Sequence, residues 1–357
     1  MREIGIEQLD DIARGAGILG TGGGGDPYIG KLLAREAIRR HGPVTVADID
    51  EVPADATVVP VSAMGAPTVL LEKLPSGAEE LTALRALEAV LGRPATHIVP
   101  IEIGGVNSMI PIAAAAESGL PLVDGDAMGR AFPEAQMVLP TLIGVSTTPM
   151  ALADDKGNTL VVDAVSNLWS ERIARSACVE MGCQVSCADT VLRGDQLRDG
   201  LVPATLTLAE DLGRAVRLAR HEHADPVAAA RDLLGGTRLL TGKVIDVERR
   251  TSGGFARGQA SLEGLGADAG RTLRLNFQNE HLLATRDGEV VATTPDLICV
   301  LDTETGEPVT TENMRYGLRV TVIAAPCDPR WTTPAGLALA GPRYFGYDCD
   351  HVPLTLA

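Results

Sequence analysis

The sequence predicts an α/β chain, α+β overall, in which an N-terminal layered α/β domain is followed by a β-rich C-terminal domain with a few helices. Three observations carry this expectation. Short apolar runs alternate with helical stretches up to about residue 150. Strand-like runs dominate from Leu239 onward. At 357 residues and 45% hydrophobic content, the chain is long enough for two packed cores. We place the domains at 1–165 and 166–357. Aromatic residues make up only 3% of the chain, so Ala, Val, Leu and Ile must fill those cores.

The elements follow in order. Ile6, Leu9, Ile12, Ala13 and Ala16 recur at helical spacing, so a first helix over 6–19 runs directly into Gly20-Thr21-Gly22-Gly23-Gly24-Gly25. A second helix starts at once, capped by Asp26 with Pro27 in its first turn, and ends in a basic turn at His41-Gly42. Apolar runs at 44–46, 57–61, 97–103 and 121–123 read as strands, alternating with helices near 79–91 and 109–116. A hairpin is expected over 150–153 and 159–165, then a helix over 167–181. Thr207 and Glu210 form a capping-box string before the run 208–221, and a further helix spans 226–234. Beyond it, strands are expected at 239–247, 271–277, 281–285, 289–292, 297–301 and 318–324.

Composition excludes several partners. A net charge of −16 repels phosphate backbones and anionic lipid heads, so nucleic acid and membrane surfaces are poor fits. No apolar run approaches the roughly 18 residues that span a bilayer, and the first residues do not form a signal peptide; a cytoplasmic location is expected. The six cysteines include Cys178, Cys183 and Cys187, whose spacing matches no standard zinc ribbon. His221 and His223 lie two apart at a helix end and read as solvated.

Candidate chemistry gathers in glycine-flanked segments. Gly20-x-Gly22-x-x-Gly25 matches the dinucleotide fingerprint as a string, but a helix rather than a strand precedes it. Gly22, Gly23, Gly24 and Gly25 instead suit close backbone approach to an anion or a ring carbonyl, although a tight helix–helix turn needs glycine equally. Glu102, Asn107, Asp124, Asp126 and Arg130 follow predicted strands, where ligands bind in α/β domains; the alternative is that Asp124 and Asp126 cap the next segment and Arg130 pairs with one of them. Glu102 or Asp126 would activate water, Arg130 would orient substrate or meet developing charge, and Asn107, Asp124 and the glycine amides would bind it. Asn279 and Glu280 sit between two strands, either at an interdomain cleft or as a strand-edge device. Asp124, Asp126 and Glu102 are oxygen ligands suited to magnesium or manganese, so a divalent metal fits the pattern without being required by it.

Taken together, Gly20 to Tyr28, Met64-Gly65-Ala66-Pro67 with Glu72-Lys73-Leu74, Glu102 to Asn107, Asp126 to Pro133, Asn276 to Glu280, Pro295 to Ile298 and Gly341 to Tyr347 resemble the S-methyl thiohydantoin desulfurase family over nearly the whole chain. The resemblance implies two domains, a hydantoin-like ring as substrate and loss of methanethiol to water, with hydantoinase- or oxoprolinase-type subunits as associates. A non-catalytic accessory subunit that binds a ring metabolite is the alternative. A homo-oligomer is expected for an enzyme of this size.

Overall fold

The computed structural model describes every residue except 66–68, 70–72, 74, 356 and 357. The family-like positions Ala66, Pro67, Glu72 and Leu74 therefore lie outside the described residues. Among the described residues the strands form two sheets, one of ten strands and one of seven. The first is mixed. Val44–Asp48, Leu122–Asp126, His97–Pro100 and Thr57–Gly65 run parallel, and Gln184–Ala188, Met150–Ala153 and Thr159–Val162 continue the sheet antiparallel. Residues 184–203, which the sequence reading placed in the second half, thus return to the first sheet. The second sheet, which starts at Thr237, is antiparallel throughout, in the order Glu289–Thr293, Glu280–Arg286, Thr272–Gln278, Phe255–Gly264, Thr237–Ser252, Arg319–Ala325, Leu297–Asp302.

Helices Leu9–Leu19, Pro27–His41, Gly105–Ser118 and Thr205–His221 pack together beside the first sheet. Gly105–Ser118 is apolar nearly all round and buried, as expected for a helix enclosed between layers. The crossing of Leu9–Leu19 with Thr205–His221 is set by glycine. A Cβ on Gly15 would lie 1.8 Å from the Ala209 carbonyl, and one on Gly213 would lie 1.9 Å from that of Asp11. No side chain fits there, so the backbones touch, and Arg217 clamps the seam through Asp11 at 2.7 Å.

Several local expectations shift. The helix read from the Thr207–Glu210 string begins at Thr205, so Thr207 is not its cap; Ala204 precedes it with φ 58° and offers no side-chain acceptor. Asp124 supplies the acceptor from another strand, taking the Leu206 and Thr207 amides at 3.0 and 3.2 Å. The strand Phe255–Gly264 and the helix Pro334–Ala340 were absent from the sequence reading. No helix among the described residues is long and apolar enough to cross a membrane.

Candidate active site

The glycine loop joins two helices and is threaded between the two sheets. Gly22, Gly24 and Gly25 have positive φ, which glycine tolerates without strain, and Thr21 shares it at 51°. On one side the loop meets the turn before Gly105–Ser118. Val106 donates its amide to the Gly24 carbonyl at 2.9 Å, and a Cβ on Gly105 would lie 1.9 Å from the Gly25 oxygen. On the other side it meets the second sheet and the loop that follows Leu297–Asp302: the His281 amide donates to Thr21 and the Thr311 amide to Gly22, both at 2.8 Å.

Glu280 enters through this seam. Asn279, at φ 58°, forms a one-residue corner between Thr272–Gln278 and Glu280–Arg286, held by exchanged bonds with Ala256. The Glu280 carboxylate takes the Gly24 amide at 3.2 Å and occupies the space where a Gly23 side chain would be, since a Cβ there would lie 1.9 Å from its Oε1. Its Oε2 is buried with no partner.

Glu102 faces the same cleft from the end of strand His97–Pro100. Asn107, in the first turn of the following helix, donates to Glu102 at 2.8 Å and bonds both the amide and the carbonyl of Ala63 on the neighbouring strand. The cleft, with about 100 Å³ of open space, is lined by Gly24, Gly25, Glu102, Asn107, Asn279 and Glu280. It is also lined by Ser62, Met128, Phe132, Arg175, Cys187 and Asp189, which the sequence reading missed. The signal available for Ser62 and Asp189 was their position on or just after a strand of the first sheet.

The remaining candidates point elsewhere. Asp126 Oδ2 accepts the amides of Ile103, Met128 and Gly129 at 2.7–3.0 Å, so it holds the loop that carries Glu102. Asp124 caps the helix at Thr205. Arg130 is fully buried and stacked on Phe132. It donates to the carbonyls of Ala131, Pro295, Asp296 and His281 and to the Thr21 hydroxyl. A guanidinium has five N–H donors, so this set leaves none for a ligand. Gly22 and Gly23 lie behind the cleft wall, against His281 and Glu280. Among the described residues no group of three or more His, Cys, Asp and Glu is arranged to hold a metal ion.

Burial dominates the electrostatics. It pushes the Glu102 carboxyl up to about 8, against the pull of the Asn107 bond, and raises Glu280 well above the usual range, with the Glu102 charge raising it further. Two buried carboxyls in one cleft cannot both ionise cheaply, so the pair keeps at least one proton near neutral pH. Asp189 is pushed up to about 7 by burial. His281, behind the glycine loop, is pushed down to about 3 by burial and by the Arg130 charge, so its ring is neutral. The arrangement offers a small neutral guest a proton donor and, once one carboxyl of the pair ionises as pH rises toward about 8, a proton acceptor beside it.

Residues 7–164 match the model described as S-Me-THD-like, N-terminal domain, and residues 165–354 match S-Me-THD-like, C-terminal domain. A crystal structure of a protein from Chromobacterium violaceum superposes with a TM-score of 0.80 at 25% identity, covering 99% of this chain and 100% of that one. No curated protein matches the chain.

Proposed function

The chain belongs to the S-Me-THD-like family, and from that premise we propose that it hydrolyses an S-methyl thiohydantoin-like ring, releasing methanethiol and leaving a hydantoin. The observation that carries this reading is the buried Glu102–Glu280 pair in a cleft small enough for one flat ring. Water forms a bond to the ring carbon that bears the sulfur, and the carbon–sulfur bond breaks. One water proton ends on the ring nitrogen and the other on the departing thiolate. An ionised carboxylate of the pair takes the first proton, and its protonated partner supplies the second. Asn107 and Asp126 act by position, holding Glu102 at the cleft wall. Met128, Phe132 and Val106 exclude bulk water around the ring.

The test is incubation of the purified chain with an S-methyl thiohydantoin, with and without a chelator, reading methanethiol in the headspace so that protein thiols do not interfere. Catalytic release is expected. Saturable ring binding without release would favour the accessory, ring-binding reading instead.

A further inference from the structure

We propose that a groove on the outer face of the seven-stranded sheet binds a small organic carboxylate that also carries an amide or urea group. In the paired strands, Arg250 lies directly opposite Arg257, and Arg257 opposite Gln278. The next row on that face is Glu248, Gln259 and Asn276. The other face carries Ala260, Leu262, Leu273 and Leu275 into the core, so alternation fixes the polar rows outward.

Two like charges directly across a strand pair are unfavourable unless something neutralises them. Among the described residues neither Arg250 nor Arg257 has an acidic group within 4.0 Å. Glu248, the one carboxylate that lines the groove among the described residues, accepts a hydrogen bond from Gln259 at 3.0 Å. Arg249 donates to the carbonyls of Glu312 and Met314. In a chain of net charge −16, this leaves two facing arginines that form no ion pair among the described residues.

Three further features define the guest. The Arg257 guanidinium stands 5.5 Å from the Phe255 ring, which also stacks on Arg175 at 4.4 Å, so it is held in place. Gln278 is buried, with its Nε2 unpartnered, and Asn276 beside it makes no side-chain hydrogen bond among the described residues. These are amides that seek an amide-like complement. Half-buried Phe345 and Tyr347 wall a space of about 530 Å³, within the range of small-molecule sites. A carboxylate fits the paired guanidiniums, and a neighbouring amide or urea fits Gln278 and Asn276.

The experiment is calorimetric titration of N-acetylglycine, its neutral analogue N-acetylglycinamide and inorganic phosphate into the full chain and into Arg250→Gln and Arg257→Gln. Both arginines are exposed and lie outside the cleft, so melting temperature should hold. Saturable binding of N-acetylglycine is expected, weakened about tenfold or more by loss of its charge and by either substitution, with phosphate weaker than N-acetylglycine. No saturable binding, equal binding of the neutral analogue, equal or tighter phosphate binding, or unchanged affinity in both variants would overturn the proposal. So would dissociation of an oligomer by either substitution in sedimentation, which would assign the groove to a contact between copies.

Discussion

Two pairs of buried carboxylates lie close together in this molecule and do opposite things. At the end of strand Leu122–Asp126, Asp124 and Asp126 both hold backbone amides, the former capping a helix and also taking the Thr207 hydroxyl, the latter closing a loop through Oδ2 while its Oδ1 stays buried without a partner. In the cleft, Glu102 takes one hydrogen bond from Asn107, and Glu280 takes one from Gly24 while leaving an oxygen without a partner. Burial alone does not separate a catalytic carboxylate from a structural one, since all four are at most 4% exposed. Nor does an unpartnered oxygen, since Asp126 Oδ1 and Glu280 Oε2 both lack one; what separates the pairs is that Glu102 and Glu280 line the cleft and Asp124 and Asp126 do not.

The sharpest way to break this comparison is to neutralise each pair. Glu102→Gln and Glu280→Gln should each lower single-turnover thiol release by about a hundred- to ten-thousand-fold with little change in melting temperature. Equal losses on Asp124→Asn would dissolve the distinction. Gly23→Ala should come next. Its methyl would collide with the Glu280 carboxylate, and a displacement of about 1 Å at a reacting group can cost on the order of a hundredfold in rate. Measuring kcat beside melting temperature tells displacement from unfolding.

The pH dependence of stability tests the cleft pair directly. Between pH 7 and 8 the folded chain keeps a proton on Glu102, held at about 8, whereas the unfolded chain, with an ordinary glutamate near 4.5, has lost it. The folded state binds more protons, so stability falls as pH rises through this window. Glu80, Asp126, Asp189 and Glu312, each pushed up to about 7 by burial, add to the fall. Glu102→Gln should flatten the slope of unfolding free energy by up to about 1.4 kcal/mol per pH unit, measured by urea melts at pH 7 and 8. The smallest effect belongs to Asp124→Ala, which should cost about 1 kcal/mol as a lost cap and leave turnover nearly intact.

Much of the architecture was legible because it is written in local pattern. The periodicity of 6–19, the Asp26-Pro27 start and the glycines that close turns all act on neighbouring residues, and each element lies where that pattern puts it. Strand Phe255–Gly264 escaped because its alternation is of small and polar residues, and its length follows that of its partner Thr237–Ser252. The candidate site was legible in residue type but not in commitment. Nothing local tells that Asp124 caps a helix more than eighty residues away. Nor does anything local tell that four of the five hydrogen bonds of Arg130 go to carbonyls and a hydroxyl in three other segments. Glu280 could be noticed but not ranked, because its value comes from the missing Gly23 side chain on the far side of the chain.

That last dependence has a kinetic corollary. The carboxylate pair comes into being only when the corner at Asn279 docks against the glycine loop, a contact separated by about 256 residues of chain. Such a long-range contact is expected late in folding, after the helices and hairpins that close locally. On refolding from urea, recovery of thiol-releasing activity should therefore lag the return of far-ultraviolet circular dichroism. The chain would pass through an interval in which it looks folded to a spectrometer and is inert to its substrate.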